Sequence, residues 1–172
     1  MVKKGLLLSL AAVLSGCSGG EDRAFPLFHE PDQARGFLAC DDVDNLTDGA
    51  DYYRAMSRCL RQGESRRAVL GFAVAGVSTW KTAYQEGTDS ARAAHRRFFP
   101  AARQHLSPAE SLMLDRRLER MAADDSQWRN LCHAVRLLEP EENDPVMFAD
   151  GMRSLWEEGV RQYLHCRPVE GG

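Results

Sequence analysis

Apolar residues recur along most of the chain at intervals of three or four positions, which is the spacing of one face of an α-helix. Stretches in which apolar and polar residues alternate, as in a half-buried strand, are nearly absent. The pattern therefore predicts an all-α fold, a compact bundle of six or seven helices in antiparallel hairpins. We place these helices in a single domain over residues 31–168, followed by a short tail at 169–172.

Turn and capping residues indicate where several of the helices begin and end. Thr47 or Asp48 would cap a helix that ends at Gly63, since a glycine can adopt the left-handed conformation of a C-terminal cap. A second helix should then run from 64 to about 86. Residues 107–110, Ser-Pro-Ala-Glu, form a capping box with proline in the first turn. We expect the last helix to begin at Asp144-Pro145 and to continue to about 164.

Four cysteines lie in the predicted helical domain, Cys40, Cys59, Cys132 and Cys166. In an oxidising compartment they imply two disulfides, for which the sequence alone allows three connectivities. We predict Cys40–Cys59 and Cys132–Cys166, because each pair would join two consecutive helices. A zinc site is the alternative, but only His165 and Cys166 are close in sequence, and adjacent helical residues point in different directions. We expect no metal.

The charge of the chain argues against nucleic acid as a partner. There are 22 lysines and arginines against 25 aspartates and glutamates, a formal net charge of −3. Removal of residues 1–16, which contain two lysines and no acidic residue, would make the chain more negative. Binding to nucleic acid requires a cationic face that displaces counterions, and the sequence contains no long basic run.

Two predicted loops, at 41–49 and 139–144, are rich in acidic residues. A calcium site is one interpretation of the first loop, but an EF-hand loop started at Asp42 would have Leu46 at its fifth, ligating position. Acidic loops can steer a basic partner and speed its encounter. The alternative is that they serve solubility and helix capping. The candidate partner-binding residues are Asp41, Asp42, Asp44, Glu141, Glu142 and Asp144.

The sequence carries no recognisable catalytic motif. It has no Gly-x-Ser-x-Gly, no phosphate-binding glycine loop and no His-Glu-x-x-His, and its five histidines are dispersed. Paired carboxylates such as Glu157 and Glu158 could do acid–base work, but a solvated helix face is the more common role. We therefore predict a protein that is not an enzyme and uses no cofactor. An uncharacterised enzyme remains an alternative, since catalytic residues can converge from distant positions.

The first seventeen residues have the layout of a secretory signal. Lys3 and Lys4 form a cationic start, and the apolar run that follows is too short for a bilayer, which requires about 20 residues. The run ends in Leu-Ser-Gly-Cys at 14–17, which resembles the lipobox of bacterial lipoproteins. An ordinary signal peptide that ends in cysteine, or a buried apolar helix, is the alternative.

The lipobox resemblance implies a cellular location for the protein. In that family the signal peptide, here residues 1–16, is removed, and the cysteine, here Cys17, is acylated and becomes the first residue of the mature chain. Ser18 in place of an aspartate favours the outer membrane. We therefore expect a protein anchored through lipid on Cys17 in the bacterial envelope and facing the periplasm.

Residues 17–30 are predicted to be the lipidated tether between the membrane and the helical domain. Gly19 and Gly20 make its beginning flexible. Phe25, Leu27 and Phe28 are too apolar for a solvated linker. We expect these three residues to dock on the domain.

One predicted hairpin resembles a known repeat. Gly63, Ala68, Phe72 and Ala75 have the spacing of the turn and second helix of a tetratricopeptide repeat, in which small alanines allow two helices to approach closely. The resemblance covers about 26 residues and no second copy follows. A generic helical hairpin is therefore the alternative.

The general build is similar to that of small periplasmic immunity proteins of bacteria. The similarity rests on the export signal, the small size, the expected disulfides and the missing catalytic motifs. It implies a protein partner, a secreted toxin or effector that acts in the periplasm, such as a cell-wall hydrolase, lipase or metallopeptidase, which the chain would bind and occlude. The alternative is a helical scaffold or pilot lipoprotein for an outer-membrane assembly.

Overall fold

A long central helix organises the fold. The computed structural model describes residues 23–40, 46, 48–140, 145–149 and 151–168, without the side chains of 94 and 95. This part of the chain contains seven helices and one antiparallel hairpin of strands, which confirms the predicted all-α class. The elements are α1 (Pro31–Leu38), α2 (Gly49–Arg61), α3 (Ser65–Glu86), α4 (Asp89–Arg103), α5 (Pro108–Ala122), α6 (Asp125–Leu137), β1 (Pro145–Phe148), β2 (Gly151–Ser154) and α7 (Leu155–Tyr163).

The predicted capping residues are confirmed. The side chain of Asp48 accepts a hydrogen bond from the amide of Asp51 at 2.8 Å and so begins α2. Ser107 and Glu110 form the reciprocal capping box at the start of α5. Gly63 has a φ of 77° and separates α2 from α3. Each side-chain cap accepts a hydrogen bond from an amide that has no partner within the helix, and the glycine adopts the backbone conformation in which a helix ends. These residues lie at the helix ends in the sequence, which is why the ends could be predicted.

The prediction that one helix runs from Asp144-Pro145 to about 164 is wrong for the described residues before Leu155. Strands β1 and β2 occupy Pro145–Phe148 and Gly151–Ser154, with Met147 opposite Met152, and the helix begins at Leu155. Gly151 has a φ of 130°, which a glycine tolerates and which no helix contains. Ser154 then caps α7 by accepting the amide of Glu157 at 3.0 Å. The apolar residues that suggested a helix face alternate between the two sides of the hairpin instead.

Small residues allow the other helices to pack closely on α3. A Cβ added to Gly71 would lie 3.3 Å from the backbone of Met56 in α2, so these two helices are in near backbone contact. Ala68, Ala73 and Ala75 are fully buried in the same helix. Helix α3 packs against α1, α2, α4, α5, α6 and α7. A helix that is apolar on most of its circumference is expected at the centre of a bundle.

Gly76 is the position at which this packing is most demanding. A Cβ built on Gly76 would overlap the ring of Tyr163 in α7. We expect Gly76→Ala to lower the free energy of unfolding by about 1–3 kcal/mol, the usual effect of overpacking a core. Urea unfolding followed by circular dichroism measures it. Gly36→Ala is the matched control, because no atom outside its chain neighbours and its own helix backbone lies within 4 Å of the added Cβ and alanine favours a helix. Equal stability of the two variants would contradict the packing argument.

Both predicted disulfides are confirmed. Cys40, just after α1, is bonded to Cys59 in α2, and Cys132 in α6 is bonded to Cys166, just after α7. All four cysteines are buried. Each bond joins two helices that are consecutive in the chain, with the strand hairpin between α6 and α7. The bonds therefore brace both ends of the described sequence against the bundle.

The chain before α1 is part of the core. Phe25 and Phe28 are buried as predicted, whereas Leu27 is half exposed. Their rings, with that of Phe37, form a cluster with centroid separations of 5.2–6.1 Å. Side chains of three helices also hold the backbone of residues 23–28. These bonds come from Arg66 to the Ala24 carbonyl, Arg117 to the Arg23 carbonyl, Asn130 to the Phe25 carbonyl, His133 to the Phe28 carbonyl, and from the Phe25 amide to Gln127.

None of the described helices combines the length and the apolarity that crossing a bilayer requires.

Candidate functional site

A groove of about 400 Å³ lies between α2 and α4. Helix α2 supplies one wall from Ala50 to Arg61, and α4 with the turn after it supplies the other from Phe98 to His105. Helix α3 lies against both of these helices. The two walls are thus brought together by packing on a common third helix, although about 40 residues separate them in sequence.

One wall of the groove is cationic. Arg54, Arg58 and Arg61 follow the i, i+4, i+7 spacing that places side chains on one face of a helix. Arg54 forms an ion pair with Asp51, and the Nε of Arg58 donates to the carbonyl of Cys40 at 3.1 Å. No acidic residue is among the described residues that line the groove. The wall therefore presents positive charge to any ligand.

Two neighbouring acidic residues flank the groove without lining it. Asp51 is the partner of Arg54. Glu110 at the start of α5 accepts the amide of Ser107, and this hydrogen bond, with a smaller contribution from the charge of Arg61, lowers the pKa of Glu110. Glu110 is therefore ionised at neutral pH. Both carboxylates reduce the net positive charge of the wall, since each interacts with one of its arginines.

The floor of the groove is largely apolar. Tyr53 is buried, and burial raises its pKa far above the ordinary value of a tyrosine, with a further contribution from the neighbouring phenol of Tyr163. Its ring is therefore a neutral surface at any physiological pH. Phe98 is 37% exposed at the opposite wall, and the small Ala101 and Ala102 line the groove with it. Apolar groups of a ligand could be buried here.

The outer face of the strand hairpin is a second exposed surface. Met147 and Met152 lie directly opposite each other and are 67% and 61% exposed. The inner face is fixed, because the ring of Phe148 packs on Tyr84 with centroids 5.8 Å apart and the guanidinium of Arg153 lies over the same ring. The two methionines are therefore held outward by a rigid support.

A smaller cleft of about 360 Å³ lies beside the Cys132–Cys166 disulfide. Its lining includes Trp128 and Arg129 of α6 and Arg167 of the chain after α7. Arg136, which also lines it, is held by Glu157 through two bonds of 2.7 and 2.9 Å. This arginine supports the structure between α6 and α7. Among the described residues, no three His, Cys, Asp or Glu side chains are grouped so as to hold a metal ion.

The binding residues proposed from sequence lie outside the described part of the chain. This applies to Cys17, the expected lipidation site, and to the six acidic candidates. They are Asp41, Asp42, Asp44, Glu141, Glu142 and Asp144. The arginine wall, in contrast, was missed by the sequence analysis, although the i, i+4, i+7 spacing of the three arginines was a visible signal. The opposite wall carried no such signal, because only the tertiary structure places α4 beside α2.

No family model, no curated protein and no solved structure matches this sequence. The chemistry of the groove is therefore the guide to what it can bind. Guanidinium groups along one wall and an apolar floor suit a ligand that carries both negative charge and apolar surface.

Proposed function

We propose that this chain is an immunity protein, a lipoprotein of the outer membrane that binds a toxin in the periplasm and occludes the active site of that toxin. The α2–α4 groove is the observation that carries the proposal. It is an open, concave surface with complementary chemical features, arginines on one wall and apolar groups on the floor. In this role the protein acts by binding and needs no cofactor.

The two disulfides support export. Disulfides form and persist in oxidising compartments such as the bacterial periplasm. Both bonds are buried, and each joins two helices that are consecutive along the chain. This fits the secretory signal in the first seventeen residues and the expected lipid on Cys17, which would hold the domain at the membrane.

The framework around the groove is rigid, which favours tight binding. Helix α2 begins at a side-chain cap, contains the disulfide-bonded Cys59 and packs closely on α3 through Gly71. A surface that is ordered before binding loses less conformational entropy on association. An inhibitor that must hold a toxin at low concentration benefits directly from such rigidity.

The acidic residues identified in the sequence remain proposed contacts of a different kind. Acidic groups at the rim of an interface mainly raise the association rate with a basic partner. Charge reversal in pairs, first of Asp41 with Asp42 and then of Glu141 with Glu142, tests this part separately. If neither pair changes the affinity or the association rate, the acidic loops are not part of the interface.

Affinity capture tests the proposed function. The bait is the mature chain with Cys17→Ser, exported by a conventional signal peptide and oxidised in the periplasm. It is exposed to secreted and periplasmic proteins from its own bacterium and close relatives. We expect one tightly bound secreted hydrolase whose activity is lost on binding. If no toxin is captured, or if the captured enzyme stays fully active, the immunity proposal fails.

A scaffold lipoprotein for an outer-membrane assembly is the second candidate. The packing of α2 on α3 favours it, because the buried Ala68 and Ala75 lie at positions where the tetratricopeptide-like pattern requires small residues. Hairpins of that family stack to form peptide-binding surfaces. Capture of envelope-machine subunits in the same experiment, in place of a hydrolase, would support this candidate.

A further inference from the structure

We propose that the α2–α4 groove binds an acidic amphipathic helix of the partner protein. The inference rests on the proposed function only in that the chain acts by binding another protein. The proposed helix has carboxylates along one face and apolar side chains along the adjacent face.

The length of the groove favours an extended ligand. The wall formed by α2 runs from Ala50 to Arg61, which corresponds to about 16 Å or three helical turns. The outer arginines of the wall, Arg54 and Arg61, are about 10 Å apart along the axis. A single compact anion would meet one or two of the three arginines. A helix laid along the groove would meet all three.

The spacing of the arginines favours a helical ligand over other extended ones. The three arginines lie at i, i+4 and i+7 of α2. Because every α-helix has the same rise per residue, side chains at i, i+4 and i+7 of a second helix have the same spacing along its axis. Carboxylates three or four residues apart on the partner helix would therefore face Arg54, Arg58 and Arg61 in turn. An extended strand, with about 3.3 Å per residue and alternating sides, would match the spacing poorly.

The charge of the lining selects an acidic ligand. Within the described residues, Arg54 is the one arginine of the three that forms an ion pair with a carboxylate. For Arg58 the described partner is the backbone carbonyl of Cys40 and not a carboxylate. A guanidinium group binds a carboxylate through two parallel hydrogen bonds, and such bonds are among the stronger ones at an interface.

The apolar floor requires that the acidic helix also be amphipathic. Phe98 is partly exposed at one wall and the small Ala101 and Ala102 form a depression next to it. Helix-in-groove recognition uses apolar anchors at the same three- and four-residue spacing. Leucine or phenylalanine side chains adjacent to the carboxylate stripe would fill this depression.

A synthetic peptide tests the inference directly. The probe is a labelled 14-residue helical peptide with glutamates at i, i+4 and i+7 beside a stripe of leucines, and its control has the same composition in scrambled order. Binding to the oxidised mature chain is measured by fluorescence anisotropy. We expect the chain to bind the patterned peptide at least about tenfold more tightly than the scrambled one, with affinity falling as salt rises. Equal binding of the two peptides would overturn the inference.

Matched variants locate the binding. Arg58→Glu with Arg61→Glu should reduce affinity for the patterned peptide at least about tenfold. Arg116→Glu with Arg120→Glu makes the same change of charge on exposed α5 residues that do not line the groove, and should leave affinity unchanged. Ala101→Trp fills the groove without a change of charge and should also abolish binding, provided that circular dichroism shows a folded chain. An equal loss in the α5 variant would overturn the inference.

The outcomes separate this inference from the proposed function. A captured toxin that binds the Arg58→Glu, Arg61→Glu variant and the Ala101→Trp variant as tightly as the unchanged chain would refute the groove inference and leave the immunity proposal standing. Peptide binding without any captured toxin would support the groove and refute the immunity proposal. Sedimentation of the chain alone gives a third result. If it self-associates through the groove, the occupant is a second copy and the inference is wrong.

Discussion

Removal of the Cys132–Cys166 disulfide, by alanine at both positions, is expected to lower the free energy of unfolding by about 4 kcal/mol. The bond closes a loop between residues separated by 34 positions, and it fixes the chain after α7 to α6. Without it the unfolded chain gains the entropy of an open loop, and the folded chain loses its fixed end. Urea unfolding of the oxidised proteins measures the difference.

The Cys40–Cys59 disulfide provides the matched comparison. It closes a shorter loop, with a separation of 19 residues, so the corresponding double alanine variant should lose about 3 kcal/mol. If removing either bond costs less than about 1 kcal/mol, the disulfides do not brace the bundle in the way that the chain-entropy account requires.

Trp156→Ala is expected to lower the free energy of unfolding by about 3–5 kcal/mol. Trp156 lies in the first turn of α7, is almost completely buried, and donates its indole N–H to the carbonyl of Val135 in α6 at 2.9 Å. Alanine would leave a large cavity and also remove the donor. The measurement should use circular dichroism, because tryptophan fluorescence is itself changed by the substitution.

Trp156→Phe separates the two causes. Phenylalanine keeps most of the apolar volume but leaves the Val135 carbonyl without the indole donor, so a smaller loss of about 1–3 kcal/mol is expected. If the phenylalanine variant were as unstable as the alanine variant, the hydrogen bond and not the packing would dominate. If the alanine variant were nearly as stable as the unchanged chain, α7 would not be part of the core.

The helices could be predicted from sequence because their signals are local. The caps at Asp48 and Ser107 act on amides three residues away, so the sequence itself contains the interaction. The disulfide pairing was predictable for a related reason. Helices that are consecutive in a bundle pack as neighbours, which brings Cys40 near Cys59.

The strand hairpin could not be predicted because burial does not follow from residue type. Met147 and Met152 are among the apolar residues that suggested a helix, yet both are exposed. The turn at Gly151, with its positive φ, determines that this segment forms a hairpin and not a helix. The presence of a glycine in the sequence does not by itself reveal its φ.

The candidate site was beyond sequence reasoning for a different reason. The arginine spacing in α2 is visible in the sequence, but three arginines on one helix more often form a solvated face than a wall. The groove exists because α2 and α4 both pack on α3 and lie next to each other. Phe98 and Ala101 acquire their role from that arrangement, and no local pattern distinguishes them from other residues of α4.

The way in which residues 23–28 are held has a mechanical consequence. With lipid on Cys17, the six residues from 18 to 23 can extend by at most about 20 Å, which is less than the diameter of a small domain. Any tension between the membrane and a bound partner would then act on Phe25, whose carbonyl accepts a hydrogen bond from Asn130, and on the hydrogen bond from Arg117 to the Arg23 carbonyl. Tension on the lipid anchor would thus act on the centre of the bundle. A protein under tension would have to unfold part of its core before the segment between Cys17 and the domain could become longer.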